Sequence, residues 1–176
     1  MKVSPTGVWL EKPQHYFDSV LTMALSHMFP GRSFLDLGCG EGAYIDALRA
    51  FGHHAIGVEG NPTVIHPDII KADLSERIHI PGGCDIVLCL EVGEHIPMEY
   101  EDALFDNIVD HARHSAVISW AKPGQPGNHH VNCQPQAYIF SEMKARGMKY
   151  EAIRTGTLRQ YTSYGWFSEN LLVFSR

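Results

Sequence analysis

Basic residues are scarce in this sequence: 14 Lys and Arg stand against 20 Asp and Glu, for a formal net charge of -6 at pH 7. Surfaces that grip nucleic acid through its phosphates are ordinarily basic, so the balance argues against DNA or RNA as a partner. The 11 histidines leave room for a local basic patch but not a dominant one. Cysteine is sparse too. Cys39, Cys84, Cys89 and Cys133 form no C-x-x-C pair, and three of them lie in apolar or glycine-rich runs. They read as reduced, mostly buried thiols rather than a disulfide framework. No apolar stretch reaches the length of a signal peptide or membrane span, so a soluble, cytoplasmic chain is expected. Internal repeats and low-complexity tracts are missing, and no H-x₃-H spacing supports a metal site, so no metal is expected.

What is present suits a folded domain. Hydrophobic residues make up 44% and charged residues 19% of 176 positions, enough to bury a core within one domain spanning 1–176. Residues 1–14 hold two prolines and the apolar cluster Val8, Trp9, Leu10, and read as an arm or lid. From His15 to Phe29 apolar residues recur at helical spacing, and Pro30-Gly31 stops them. Strand-like runs follow at 33–37, 54–58 and 68–71, with a helix at 43–51 closed by Gly52. The apolar run Asp85–Leu90 fits a central strand covered on both faces. A helix over 97–111, a strand over 115–120 and a helix over 135–146 come next. Two last strands, 149–154 and 171–174, separated only by a loop, suggest an antiparallel edge hairpin. Alternating strands and helices imply an α/β, doubly wound, Rossmann-like sheet of about seven strands, mostly parallel, with helices on both faces.

Ligands of such sheets bind at the carboxyl ends of the strands, near the point where strand order reverses. Four features fall at strand ends. The first is the bend Asp36-Leu37-Gly38-Cys39-Gly40-Glu41-Gly42, whose glycines let a ligand lie against the backbone. It also fits G-x-G-x-x-A loosely, so a nicotinamide-dependent oxidoreductase stays open, although no Tyr-x-x-x-Lys pair accompanies it. The second is Glu59-Gly60, 21 positions after Gly38, where an acid typically accepts ribose hydroxyls. The third is Asp73-Leu74, suited either to an adenine or to capping a helix. The fourth is Leu90-Glu91-Val92-Gly93-Glu94-His95-Ile96-Pro97, the floor of the cleft.

Together these stretches resemble the class I S-adenosylmethionine (AdoMet)-dependent methyltransferases. Residues 34–42 look like that family's first motif, Gly57-Val58-Glu59 its second, Ala72-Asp73-Leu74 its third and 85–97 its fourth. The wording of the fourth is similar to the type 11 and type 23 branches, which act mainly on small molecules, lipids and sugars. The resemblance covers roughly 33–120 and implies a cofactor bordered by Asp36, Gly38, Cys39, Gly40, Glu59, Gly60, Asp73, Leu74 and Glu91. It divides the chain into an N-terminal arm and helix (1–30), an AdoMet-binding core (33–120) and a substrate loop with C-terminal hairpin (121–176). One departure is the proline-broken stretch from Asn61 to Pro67, too short for the helix the family usually has there, which leaves the adenine side more open.

Methyl transfer to a hydroxyl needs a proton acceptor. His95, His129 and His130 are candidates, with Glu94 a possible orienting partner for His95. His130 is favoured because His-Val-Asn-x-Gln-Pro resembles loops of sugar-type relatives, following the Pro/Gly-rich segment 122–127. Tyr161, Tyr164, Trp166 and Phe167 could stack on a ring-shaped acceptor or simply fill the rim. The acceptor expected is a small molecule or glycan hydroxyl. A non-catalytic AdoMet-binding scaffold is the alternative from another class.

Overall fold

The computed structural model describes residues 2–11 and 15–176; Met1 and Lys12–Gln14, part of the expected arm, lie outside the described residues. The elements are α1 (Ser19–Met28), β1 (Phe34–Leu37), α2 (Ala43–Ala50), β2 (Ala55–Glu59), β3 (Ile69–Lys71) and β4 (Cys84–Leu90). Then come α3 (Glu101–His111), β5 (Ala112–Ser119), α4 (Gln136–Ala145), β6 (Lys149–Tyr150), α5 (Ala152–Gln160), α6 (Gly165–Asn170) and β7 (Leu172–Ser175). The seven strands form one sheet in the order β3-β2-β1-β4-β5-β7-β6. The first five run parallel, whereas β7 pairs antiparallel with both β5 and β6. Strand order reverses between β1 and β4, which fixes where a ligand crevice belongs.

Alternation along each strand divides the core in two. Leu35, Leu37, Val87, Cys89, Ala116 and Ile118 face α3 and α4 with Leu104, Phe105, Ile108, Ile139 and Met143. Phe34, Ile86, Leu88, Val117 and Val173 face the opposite way, against Leu21, Leu25, Ile45, Leu48, Leu158 and Phe167. A strand segment buried on both sides favours apolar residues at successive positions, which explains the runs 86–90 in β4 and 116–118 in β5. Phe105 is fully buried, stacks on Trp120 at 5.3 Å and carries the Arg146 guanidinium 5.1 Å above its ring. Phe105→Ala should therefore cost about 3–5 kcal/mol, read as a lowered urea midpoint.

Three expectations need correction. The C-terminal strands are antiparallel edge neighbours, but they are not a simple hairpin: β6 ends at Tyr150, and α5 and α6 fill the supposed loop. Residues 151–154 therefore belong to a helix start, because α5 must lay Leu158 on the second core face. The first helix begins at Ser19 rather than His15. Asp18 is its N-cap, its Oδ1 accepting from the amides of Val20 and Leu21. The same carboxylate accepts from the Ser163 amide at 2.6 Å and so ties α1 to the approach of α6. The helix expected from Pro97 opens as a short 3-10 turn over Met98–Tyr100 before α3. As expected, no helix separates β2 from β3.

Among the described residues no helix is long and apolar enough to cross a membrane. All four cysteines are free.

Candidate functional site

A cavity of about 680 Å³ lies at the carboxyl ends of β1, β2 and β4, beside the switch point. That volume is within the roughly 300–1,000 Å³ typical of small-molecule sites. All nine residues expected around a cofactor line it: Asp36, Gly38, Cys39, Gly40, Glu59, Gly60, Asp73, Leu74 and Glu91. His95 and His130 line it as well; His129 does not, although its backbone carbonyl takes part.

The bend after β1 builds the first wall. Gly38 has φ +77, and a Cβ there would lie 2.5 Å from Val92 Cγ2, so only glycine fits. The Gly40 amide donates to Glu59 Oε2 at 2.9 Å, and the Asn61 amide donates to Oε1 at 2.7 Å. Glu59 thereby fastens the glycine bend to the end of β2. Asp36 is 3% exposed, and its Oδ2 has no hydrogen-bond partner. Burial, reinforced by the Glu59 charge, pushes its carboxyl up to about 7. Asp73 caps no helix, since only a turn follows it: Oδ1 accepts from the Ser75 amide at 2.9 Å, and Oδ2 accepts from Thr6 Oγ1 at 2.7 Å.

Thr6 belongs to the arm, which crosses this end of the sheet. A bridge between Val3 and Trp9 folds it back on itself, and Thr6, Gly7, Val8 and Trp9 all line the cavity. Val8 rests against Gly60, and Gly7 is pressed onto the His95 carbonyl. The arm thus covers the cavity beside Gly60 and Asp73, next to the stretch that lacks a helix. Periodicity carries no information about such a segment; only the small cluster Val8-Trp9-Leu10 hinted at it.

The opposite wall follows β4. Glu91 takes a left-handed backbone, φ 55, and its amide donates to the carbonyl and Oγ of Ser119 at 3.1 and 3.0 Å. A non-glycine residue held there is a strained position of the kind that gathers at functional sites. His129 is the other such residue, φ 59. Glu94 has no solvent exposure, and neither carboxylate oxygen has a hydrogen-bond partner. Burial and the neighbouring Glu91 carboxylate hold Glu94 well above the usual carboxylate range. His95 donates from Nδ1 to the His129 carbonyl at 3.1 Å, so that carbonyl, not Glu94, orients the ring. Burial lowers His95 to about 4. His130 donates from Nδ1 to the Gln125 carbonyl at 3.2 Å. A carbonyl only accepts, so Nδ1 carries a proton in both rings, which makes Nε2 the lone-pair nitrogen of the neutral imidazole.

The loop carrying His130 is anchored by groups that the sequence pattern contained without revealing their purpose. The amides of Val131 and Asn132 donate to the Glu94 carbonyl at 2.9 and 3.0 Å. Trp120 Nε1 donates to the Asn132 carbonyl at 2.6 Å, and Asn132 Nδ2 donates to Glu101 Oε2 at 2.7 Å. Gly127 lies against the His130 ring, where a Cβ would collide with Nε2. Gly127→Ala should therefore displace the imidazole and cut turnover while leaving the melting temperature nearly unchanged, since Gly127 is exposed loop. Of the late aromatics, Trp166 and Phe167 line the cavity; Tyr164 stacks on Trp166 at 4.5 Å from behind, and Tyr161 is exposed.

One carboxylate and two imidazoles also converge here: a ligand atom from each of Glu94, His95 and His130 lies within 4.8 Å of the others. Local spacing did not reveal this, because 34 residues of chain separate the two rings.

Comparison with known proteins agrees with the fold. The family model described as "Methyltransferase domain" matches residues 9–163. A ubiquinone biosynthesis O-methyltransferase from Paraburkholderia xenovorans is 29% identical over 103 residues, covering 49% of this chain and 44% of that protein. The chain thus spans about half the length of such relatives. Magnesium protoporphyrin IX methyltransferase from Synechocystis, solved with bound SAM, superposes with TM-score 0.65 at 22% identity, covering 90% of this chain and 76% of that one. A TehB-like SAM-dependent methyltransferase from Corynebacterium glutamicum gives 0.67 at 19%, covering 89% and 86%. With the family model spanning most of its length and the glycine bend, paired acids and switch-point cavity in place, this chain belongs to the class I AdoMet-dependent methyltransferases.

Proposed function

We propose that this chain methylates a hydroxyl of a small, ring-bearing acceptor, such as a sugar or glycan end, at the expense of AdoMet. The observation that carries the reading is the buried Asp36, whose Oδ2 has no hydrogen-bond partner, beside Glu59, both lining one cavity with the glycine bend. Two neighbouring buried acids are costly unless a cation or hydroxyl donors meet them. A ligand's ammonium meets the deficit at Asp36, while Glu59, whose oxygens already accept from the Gly40 and Asn61 amides, can accept a ribose hydroxyl on a remaining lone pair. When bound, AdoMet supplies a sulfonium methyl that is already strongly electrophilic.

The chain's own residues supply the rest. Asp36 would hold the amino-acid end, Glu59 the ribose, and Asp73 with Leu74 the adenine, while Gly38, Cys39, Gly40 and Gly60 let the ligand lie close and Glu91 closes the floor. Trp9, Trp166 and Phe167 surround the remaining space with aromatic faces, which suit a pyranose or an aromatic ring. Their role is to align the acceptor and exclude water, an effect that can supply several kcal/mol on an order-of-magnitude scale. His130, with His95 beside it at 5.2 Å between ring centroids, offers the lone pair that takes the hydroxyl proton.

Calorimetry with S-adenosylhomocysteine is the first test: a single saturable site is expected, and no binding would dispose of the reading. Mass spectrometry after incubation with labelled AdoMet and panels of sugars, glycans and phenols tests the acceptor. Label found solely on nitrogen would remove the hydroxyl assignment.

A further inference from the structure

Glu94 is the least explained group in the molecule. It is completely buried, both oxygens lack hydrogen-bond partners, and it lines the cavity. An unpaired buried carboxylate is retained only where something compensates it. Glu91, a second cavity-lining acid with an unpartnered oxygen, makes the deficit of positive charge worse. His95 and His130 bring the other half of the pattern. Each is fixed by an Nδ1–H donated to a backbone carbonyl, of His129 and Gln125 respectively. This is the outer-shell arrangement that orients metal-binding histidines and leaves Nε2 free. The Trp9 ring stands edge-on to His95 at 5.3 Å and shields the cluster on one side.

We infer that Glu94, His95 and His130 form a site for one first-row divalent transition-metal ion. Ligand atoms within 4.8 Å of one another need to close in only slightly, since bonds of ~2.1 Å place ligands roughly 3–4 Å apart. Two imidazoles with a carboxylate suit such ions, whereas magnesium and calcium prefer all-oxygen shells. Three protein ligands leave at least one position open toward the cavity, where an acceptor hydroxyl would bind with a lowered pKa and release its proton to solvent water as the methyl is transferred. This rests on the hydroxyl-methylation reading for what the open position holds, and it makes the histidines ligands instead of bases.

The probe is Co²⁺, titrated into the metal-stripped full chain and followed by visible absorption. The expected result is saturation at one ion per chain. Glu94→Gln and His130→Ala should each weaken binding at least ~10-fold, the lower end of what outer-shell changes cost. His27→Ala, on the exposed side of α1, should bind as the parent does. S-adenosylhomocysteine binding, measured on the same samples, reports that the fold of each variant is intact; His130→Ala, in a surface loop, remains informative even if the buried change misfolds. No saturable spectrum, or one indifferent to Glu94→Gln and His130→Ala, overturns the metal site. Nucleoside binding without Co²⁺ binding removes this inference alone, and Co²⁺ binding without nucleoside binding keeps it and removes the methyl-transfer reading.

Discussion

Asp36→Asn is expected to make the free protein more stable and its AdoMet binding worse. Asp36 carries a carboxyl raised from 3.8 to about 7 by burial and by Glu59. Between those values the native protein holds a proton that the unfolded chain has released. Stability therefore declines as pH rises through that interval, and the full penalty stands above about pH 7. A rise of about three units corresponds to a penalty on the order of 4 kcal/mol, which a neutral amide does not incur. The melting temperature of the variant should exceed the parent's at pH 8, and the gap should shrink toward pH 5. Cofactor affinity should move the other way. A cationic amino group prefers the ionised carboxylate, so parental affinity rises between pH 6 and 8, while the variant binds roughly 10–100-fold more weakly and without that rise. Equal melting temperatures at pH 8 would show that Asp36 is not buried as a charge, and pH-independent parental affinity would remove its role toward the cofactor.

His130→Ala is the variant with the largest expected loss of turnover. Removing a proton acceptor typically costs roughly 10²–10⁴-fold, and losing an ion that acidifies the hydroxyl would cost a similar amount. Cofactor affinity should stay near normal, because His130 sits on the loop after β5 while the glycine bend and paired acids sit on β1 and β2. Single-turnover measurements with saturating AdoMet isolate that step. Turnover comparable to the parent would take His130 out of the chemistry. Asn132→Ala offers a sharper contrast. It leaves both imidazoles in the chain but cuts the bond to Glu101 that anchors the loop, so kcat should fall with an intact histidine.

Not every part of the site was equally legible. Asp36, the glycine bend, Glu59 and Asp73 could be read from the chain because each sits at the end of an apolar run, and in an α/β sheet those ends share one edge. The sheet order could not be read from periodicity; it emerges from how β4 inserts beside β1. The strand expected at 149–154 stops at Tyr150: Tyr150 and Ile153 suit a strand locally, whereas the second core face needed Leu158 from a helix. Glu94 looked like a neighbour that might orient His95, since adjacency in sequence says nothing about which backbone carbonyl will reach a ring.

Local chemistry thus determined the element types, the two-faced burial of the central strands and the cluster of acids and glycines at their tips. These follow from side-chain volume, backbone freedom and alternation, which are properties of neighbouring residues. Tertiary structure alone decided that the arm covers the cavity beside Gly60 and Asp73, that two helices precede the last strand, and that Glu94 meets histidines from two separate loops. Those outcomes depend on contacts between segments far apart in the chain, and their energies come from burial and solvent exclusion that no local window contains.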